Sequence, residues 1–599
     1  MKSKIGMAFM VVALFIGTAA MAGMSPGVIV GNENKEVHES MQFSVHAPSP
    51  EIKAEEKYVT LDFGAETKYL HHASYPIMPY NSKVLTFPFG TKIESIDVKV
   101  GEMQTMHLDK KIAPSPEPIP INGAEPKAAQ EGAIYQSNEV YPSKWVEWNA
   151  GAGLENEKHV ILLSIHAFPA RYIPAENELQ YVNNVSIEIK YTLPSKPLLT
   201  NELYDLLIVT PSQFSNALQP LVEHKNSHGI STMLVTLDEI YNGNYFSVQG
   251  RDDAEKIKYF IKDAVEQWGI KYVVLVGDIE KMPSRKVWSF WGGGQMYSDQ
   301  YYADIYDANG SFCSWDSNGN NRFGETNSDG GEIDSVDLYS DVYVGRLACY
   351  DNEEVTTVVN KIIHYEDAAY GKEWFNKLIL MGGDTFPIWN NIAEGEIVNQ
   401  YVEDATPDFE HVKIQTSLHN FLPNKINNAM TEGAAFISYS GHGFEYGFGT
   451  YPKNRRWMIA YYTPYLLALK NGDKLPIVFF DACLTAKLDY YMLGNPKVPC
   501  FAWCMVKKAN GGAIATIGAT ETATTSVDED GPHGQAGYMN LHFFMAYKPG
   551  IHVSEMLVSA QNDYINGVAE GVANDRFYIM TIEQFILLGD PSLKVGGYP

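Results

Sequence analysis

Basic residues are scarce in this chain. Its 599 residues include 45 Lys and Arg against 72 Asp and Glu, which gives a net charge of −27 at pH 7. Because binding to nucleic acid needs a positively charged footprint, this balance argues against a nucleic-acid partner. The sequence also lacks a glycine-rich phosphate loop, since Gly292-Gly293-Gly294 is not followed by Lys and Ser or Thr. That triplet predicts a flexible turn.

Long apolar runs are lacking as well, apart from one near the N-terminus. Lys2 and Lys4 precede an apolar stretch from Met7 to Ala20, and Ala20-Met21-Ala22 fits a small-x-small cleavage site. The stretch is shorter than the ~20 residues that span a bilayer, so residues 1–22 are predicted to be a secretory signal and not an anchor. We expect a secreted or cell-surface protein with no membrane span after signal removal.

Cysteine is also rare, with five in the chain. Disulfides use cysteines in pairs, so an exported protein with five leaves at least one free, and Cys483 is predicted to be that one. Cys500 and Cys504 are four residues apart on a predicted helix, with no histidine at zinc-ligand spacing, and are expected to be buried thiols. Cys313 and Cys349 could form a disulfide.

The spacing of apolar residues divides the chain into two parts, and 599 residues are too many for a single core. From Lys57 to Leu193 apolar and polar residues alternate, which predicts an antiparallel, sandwich-like β domain over residues 23–199. Within it, residues 114–120 read Pro-Ser-Pro-Glu-Pro-Ile-Pro and predict an extended linker or a long surface loop. Leu193-Pro194-Ser195-Lys196-Pro197 marks the boundary.

After Tyr204 buried strands alternate with amphipathic stretches. This alternation predicts an α/β domain over residues 200–599, with a mostly parallel sheet and helices on both faces. The domain could divide into two subdomains, 200–370 and 371–599. Helices are predicted at residues 253–267 and 353–370. The predicted strands are residues 204–210, 271–277, 377–382, 434–439, 476–481 and 513–518.

Two of these strands end in residues that could act together. One apolar run leads into Ser440-Gly441-His442-Gly443, and the next, Ile477 to Phe480, leads into Asp481-Ala482-Cys483. The segment between them is long enough for a crossover, so both residues are expected at the same edge of the sheet, where α/β proteins bind ligands. A histidine that accepts the thiol proton gives a cysteine nucleophile. The alternative is a loop histidine and an unrelated buried cysteine, but their joint position at strand ends favours chemistry.

This pair resembles the caspase-like cysteine peptidases, in which one apolar strand ends in His-Gly and another ends in the nucleophilic Cys. Within that clan the chain resembles the gingipain-type enzymes, peptidase family C25, over most of residues 200–595. The segments that carry the resemblance are Tyr204–Thr210, Tyr272–Asp278, Val342–Leu347, Pro499–Ala502 and Leu588–Leu593. The last of these fits the end of such a domain, and no C-terminal sorting or adhesin domain is expected after it. The resemblance also implies that Phe168 to Pro174 belongs to a pro-domain; the alternative is an accessory β domain.

Supporting residues are expected around the pair. Asp384 follows a predicted strand, and the family pattern has an acidic residue upstream of its histidine, so Asp384 is predicted to orient His442. Glu394 or Glu396 could serve instead. The resemblance and the lack of a side chain at Gly443 predict that the backbone amides of Gly443 and Cys483 hold the oxyanion.

A calcium site is predicted from the spacing of oxygen side chains in one loop. Asp316, Asn318 and Asn320 alternate along the chain, and Glu325 closes the loop. Such spacing can wrap oxygen ligands around a hard cation, although the glycine and glutamate positions depart from the EF-hand pattern. Gingipain-type enzymes also bind structural calcium, which the resemblance therefore implies. The alternative is an acidic surface turn, and no cofactor is expected for the chemistry itself.

Substrate preference is indicated only by two acidic residues. Asp481 lies two positions before the predicted nucleophile, where some caspase-like relatives use an acidic residue to hold a basic P1 side chain. Glu521 lies in the loop after the last predicted strand. The family pattern has a tryptophan in that loop, whereas this chain has Thr522-Ala523-Thr524-Thr525. Asp481 and Glu521 are candidate substrate-binding residues, and the alternative for Asp481 is a buried structural aspartate.

The sequence therefore predicts a secreted cysteine endopeptidase, made as a zymogen, that acts on protein or peptide substrates. Its own N-terminal domain is the expected inhibitor. Two alternatives remain open. A transpeptidase would join exported proteins to a surface amine and give amine adducts, and a lapsed enzyme that serves as a binding module would leave Cys483 unreactive.

Overall fold

The computed structural model describes residues 37–599, except for 65–66, 123–124, 196–198, 200–201, 291–293, 327–333, 388, 390 and 569–574. The predicted signal over residues 1–22 lies outside the described residues, as does most of the Gly292–Gly294 turn. Within the described part of the chain, no helix combines the length and apolar character needed to cross a bilayer.

The N-terminal part of the described chain is built from β-strands that pair antiparallel. Its main sheets have the strand orders β1-β13-β6, β4-β5-β10-β9 and β11-β12-β7. In β13 the buried and half-buried residues alternate, because one face of the strand covers the core. The predicted antiparallel β structure of this part of the chain is thereby confirmed. The strands are β1 Val37–His46, β2 Glu51–Ala54, β3 Val59–Asp62, β4 Lys68–Leu70, β5 Met78–Pro88, β6 Lys92–Val100, β7 Gln104–His107, β8 Ile119–Pro120, β9 Val146–Glu155, β10 Lys158–Ala167, β11 Ala170–Ile173, β12 Glu178–Tyr181 and β13 Asn184–Leu193.

The C-terminal part is centred on a ten-stranded sheet with the order β15-β14-β16-β19-β29-β27-β26-β22-β20-β21. Its strands pair parallel, except that β29 runs antiparallel to β27. The later strands of the chain are β14 Leu206–Thr210, β15 Thr232–Thr236, β16 Tyr272–Val276, β17 Arg285–Phe290, β18 Gly294–Ser298, β19 Tyr343–Leu347, β20 Lys377–Gly382, β21 Glu410–Gln415, β22 Phe436–Ser440, β23 His442–Phe444, β24 Gly447–Thr450, β25 Ile459–Tyr462, β26 Ile477–Asp481, β27 Ala515–Ala519, β28 Thr524–Thr525 and β29 Phe585–Leu588. The predicted α/β class with a mostly parallel sheet is confirmed.

Helices flank this sheet, and the two whose bounds were predicted begin at a side-chain cap. Asp252 accepts a hydrogen bond from the Glu255 amide at the start of α3, and Asp351 does the same for α5. Both helices lie within two residues of their predicted bounds. The helices are α1 Ser215–Ser227, α2 Leu237–Asn242, α3 Asp253–Trp268, α4 Gln300–Ala303, α5 Asn352–Ala368, α6 Glu394–Ala405, α7 Pro423–Glu432, α8 Thr463–Leu467, α9 Phe501–Val506, α10 Gln535–Met545, α11 Val553–Asn566 and α12 Arg576–Gln584.

A buried ion cluster ties the end of the chain to α1 and α5. The Lys225 ammonium lies 2.8 Å from the Glu366 carboxylate and 2.7 Å from that of Asp590, and none of the three side chains reaches solvent. His224 adds a contact of 2.9 Å to Glu366. Each charge thus has a partner of opposite sign, and the C-terminal segment cannot leave without exposing an unpaired charge in the core.

We expect Lys225→Ala to lower the free energy of unfolding by about 3–5 kcal/mol, because it leaves Glu366 and Asp590 buried without their cation. Urea denaturation followed by circular dichroism measures this loss. The matched control is Lys256→Ala, whose solvent-open pair with Asp253 should contribute less than about 1 kcal/mol. Equal effects of the two substitutions would contradict the role of the cluster.

Candidate active site

Two neighbouring parallel strands bring the predicted pair to one edge of the sheet. β22 pairs with β26, with Ser440 opposite Asp481 at their carboxyl ends. The chain continues from β22 into β23, where His442 lies, and from β26 to Cys483. The crossover between them contains the β23-β24-β25 hairpin sheet and α8. Cys483 is fully buried and His442 is 2% exposed.

The turns after both strands have backbone conformations that keep the two residues close. Gly441 has a φ of 152°, which L side chains rarely adopt. A Cβ on Gly443 would overlap the Cys483 carbonyl oxygen and lie 2.9 Å from the Cys483 nitrogen. Leu484, directly after the cysteine, has a φ of 58°. Gly443 therefore allows the histidine turn to lie directly against the cysteine turn.

A segment of the N-terminal domain lies across this site. β8 pairs antiparallel with β28, with Pro120 opposite Thr524 and Ile119 opposite Thr525. The Ile121 amide then donates to the Ala523 carbonyl at 2.8 Å. We call residues 119–121 the strap. The sequence predicted an extended linker or surface loop here, and the structure shows a short strand added to the C-terminal domain.

The strap places one carbonyl oxygen between the predicted catalytic groups. The Cys483 thiol donates to the Ile121 oxygen at 3.1 Å, and His442 Nδ1 lies 3.1 Å from the same oxygen. The Ala523 amide donates to the Cys483 sulfur at 3.2 Å. Thiol and imidazole thus face each other across a peptide group, in the arrangement that a nucleophile and its base require around a substrate.

The other ring nitrogen of His442 faces a backbone carbonyl and not a carboxylate. Nε2 lies 2.9 Å from the Thr385 oxygen. A neutral imidazole has one N–H and can donate to only one of these two carbonyl oxygens. Once the Ile121 oxygen leaves, an Nε2–H that donates a hydrogen bond to Thr385 leaves Nδ1 to accept the thiol proton. The predicted orienting role of Asp384 therefore passes to its neighbour. The Asp384 side chain instead accepts a hydrogen bond from the Asn454 amide.

The two glutamates offered as alternatives also have other partners. Glu394 accepts from the Thr385 amide at 3.0 Å, so it holds the segment that contacts His442 without touching the ring. Glu396 accepts from the Ser417 amide at 2.9 Å. Thr385 could not be singled out in the sequence, because any residue type supplies a carbonyl.

Burial keeps both members of the pair uncharged while the strap is in place. Desolvation raises the pKa of the Cys483 thiol to about 12 and lowers the pKa of His442 below its usual value. A low-dielectric site disfavours the thiolate and the imidazolium alike. The cysteine under the strap is therefore a neutral thiol.

Comparisons with known proteins show the family to which the chain belongs. A family model, Peptidase family C25, matches residues 200–596. The chain belongs to peptidase family C25. It is 21% identical to gingipain R2 of Porphyromonas gingivalis over 405 residues, which cover 67% of this chain and 47% of that protein. Lys-gingipain W83 of the same organism is 22% identical over 401 residues, which cover 59% and 19%. The chain spans about half the length, or less, of these curated relatives.

Solved structures are also similar. The crystal structure of the Arg-specific cysteine proteinase gingipain R matches with 20% identity and a TM-score of 0.47, covering 67% of this chain and 80% of that one. A complex of the pro- and mature domains of RgpB from Porphyromonas gingivalis matches with 20% identity and a TM-score of 0.47, covering 65% and 79%.

The two carboxylates predicted to bind substrate are both engaged elsewhere in this C25 chain. Asp481 is 1% exposed and accepts a hydrogen bond from Ser440 at 2.7 Å. Burial raises the pKa of Asp481 to about 7. Glu521 forms an ion pair with Lys487. Asp481 therefore lies in the core, in agreement with the alternative of a buried structural aspartate. The charge of Glu521 is neutralised by Lys487.

Both acidic residues among the predicted calcium ligands already form ion pairs with arginines. Asp316 pairs with Arg251, and Glu325 lies 3.1 Å from Arg322. Asn318 and Asn320 donate their side-chain amides to Glu325 instead of presenting oxygens to a common centre. This donor set does not fit calcium, because two guanidinium groups already neutralise the carboxylates that would bind the ion.

All five cysteines are free thiols and buried. The disulfide considered between Cys313 and Cys349 is not formed. Cys500 directly precedes α9 and Cys504 lies within it, and Cys504 donates to the Pro499 carbonyl at 3.3 Å. Burial raises the pKa of both Cys500 and Cys504 to about 12.

The raised pKa of Cys483 predicts how its alkylation depends on pH. Iodoacetamide reacts with the thiolate, so the rate at Cys483 in the native full chain should rise about tenfold per pH unit from pH 7 to 9.5 without levelling off. The same cysteine in urea should level off near its ordinary pKa of about 8.5. Peptide mass spectrometry resolves the site. A native plateau below pH 8 would contradict a neutral thiol under the strap.

Proposed function

We propose that this chain is a cysteine endopeptidase that its own N-terminal domain holds in a latent state. Cys483 is the nucleophile and His442 the general base and acid. One observation carries the proposal: the Cys483 sulfur and His442 Nδ1 each lie 3.1 Å from the carbonyl oxygen of Ile121. Membership of peptidase family C25 supports the same chemistry.

The first half of the reaction forms a thioester. His442 takes the thiol proton on Nδ1, with Nε2 steadied by the Thr385 carbonyl, and the sulfur attacks the peptide carbonyl carbon. The backbone amides of Gly443 and Cys483 are proposed to donate to the oxyanion. The imidazolium then gives its proton to the departing amine as the C–N bond breaks.

In the second half of the reaction, water that is deprotonated by the same imidazole hydrolyses the thioester and regenerates the thiol.

The strap explains how such a site stays inactive. The Ile121 oxygen accepts the thiol hydrogen, so it occupies the path along which the proton would reach His442. Attack requires the carbonyl carbon to face the sulfur and the oxygen to lie against amide donors. The strap thus binds along the path of a substrate but presents the wrong atom to the nucleophile.

Other residues of the N-terminal domain also contact the C-terminal domain. The Leu154 amide donates to the Ser340 carbonyl at 2.8 Å, and His166 contacts the Asn566 carbonyl at 2.9 Å. We propose that residues 23–199 act as a pro-domain and that activation requires the strap to leave the cleft. Export through residues 1–22, to the outside or the cell surface, belongs to the same proposal.

The test is hydrolysis of casein by the full chain after limited proteolysis. Cys483→Ala and His442→Ala should each lower the rate at least about a thousandfold, because nucleophile and base act as one unit. Cys504→Ala is the matched control, since it removes a buried thiol outside the site, and it should retain most activity.

Asp384→Asn tests whether His442 is oriented by the Thr385 carbonyl or by the Asp384 carboxylate. We expect less than a tenfold loss, whereas removal of a triad carboxylate costs about 10⁴-fold. Activity that survives Cys483→Ala would refute the assignment. Products that carry an added amine nucleophile would show transfer and not simple hydrolysis.

A further inference from the structure

The strap shows which residue of a substrate would precede the scissile bond. Its amide and carbonyl groups pair along residues 523–525 as an added strand, and the carbonyl at the nucleophile belongs to Ile121. Strand addition of this kind fixes the backbone, so the side chains fall into successive subsites. Ile121 is therefore at P1, Pro120 at P2 and Ile119 at P3.

These subsites are filled by apolar side chains. Ile121 is 2% exposed and belongs to the main hydrophobic core. Ile119 packs with Phe386 and Val527 in a small separate cluster. The next residue along the chain, Asn122, is exposed. The cleft thus encloses the residues before the nucleophile and leaves the residue after it in solvent.

The charges near the cleft do not fit a basic P1 residue. On the described segments next to the pair, each carboxylate already has a partner. Asp481 is buried against Ser440, and Glu521 is paired with Lys487. Asp384 and Glu394 accept the backbone amides of Asn454 and Thr385. A lysine or arginine placed at P1 would have to take a carboxylate from one of these partners, or remain buried without a counter-ion. An aliphatic side chain at P1 needs no counter-ion.

The geometry points to a peptidase whose S1 subsite selects an aliphatic residue over a charged one, with proline accepted at P2 and an apolar residue at P3. This inference rests on the proposed function and names its substrate class. Proline fits P2 because the Pro120 position in the added strand offers no amide hydrogen and needs none. The side chains that occupy the cleft in the latent chain are then of the kind that a substrate would place there.

The test replaces Ile121 in the full chain and measures alkylation of Cys483 by iodoacetamide, which does not depend on peptidase activity. Ile121→Val should leave the rate within about twofold of the native chain, because the side chain keeps its shape and its apolar contacts. Ile121→Arg and Ile121→Asp should each speed alkylation at least about tenfold, because a charge in this subsite drives the strap out. Cys349, buried elsewhere, reports in the same digest that the fold is intact.

A second measurement uses the Ile121→Arg chain with peptide aldehydes that copy the strap. The aldehyde carbon bonds to the Cys483 sulfur while the thiol proton moves to the oxygen, so bound peptide protects the cysteine from alkylation. Acetyl-Pro-Ile-Pro-Ile aldehyde should protect at a concentration at least about tenfold lower than acetyl-Pro-Ile-Pro-Arg aldehyde.

Slower alkylation of Ile121→Arg than of the native chain, or equal or better protection by the arginine aldehyde, would overturn the inference. These outcomes are separate from failure of the proposed function. Selective protection by the isoleucine aldehyde in a chain that hydrolyses no peptide would sink the peptidase proposal while leaving the subsite preference standing.

Discussion

The candidate active site is organised around one carbonyl oxygen, that of Ile121, which lies between a thiol and an imidazole. Its position requires two independent pieces of the fold. The parallel pairing of β22 and β26 brings His442 and Cys483 to one edge, and the pairing of the strap with Thr524–Thr525 lays a peptide group across them. If either pairing is lost, the oxygen no longer lies 3.1 Å from both groups. The proposed chemistry and the proposed latent state therefore depend on the same contact, which the fold creates.

The same contact links the charge state of the pair to the position of the strap. While the strap is in place, burial raises the pKa of Cys483 to about 12 and lowers that of His442. Removal of the strap would admit water and reduce the desolvation that disfavours both charged forms. Thiolate and imidazolium would then also stabilise each other by their opposite charges. Under the proposed function, activation would therefore require the departure of a short segment and no rearrangement of the sheet.

Much of the fold could be predicted from the sequence, because buried parallel strands are continuous apolar runs. β22 and β26 are such runs, and the residues that follow them are the ones that the sequence singled out. The edge strands β15 and β21 were missed, because edge strands mix polar and apolar residues, as Glu410–Gln415 does. Strand β29, Phe585–Leu588, was missed because its apolar run is only four residues long.

The site was less predictable where backbone atoms or distant segments act. Asp384 was predicted to orient His442 because sequence patterns show side chains, whereas the contact comes from the Thr385 carbonyl. The calcium loop had suitable oxygens, but Arg251, distant in sequence, pairs with Asp316. The strap carried a visible signal, since Pro118-Ile119-Pro120-Ile121 is extended and apolar. Its partner lies about four hundred residues away, beyond the reach of any local pattern.

The most direct test of the central claim is a crystal structure of the full, unprocessed chain with its cysteines reduced. The account predicts density for residues 119–121 alongside Thr524–Thr525. The Ile121 oxygen should lie within hydrogen-bonding distance of both the Cys483 sulfur and His442 Nδ1. A strap that lies away from the cleft, or a His442 ring that faces away from Cys483, would contradict it.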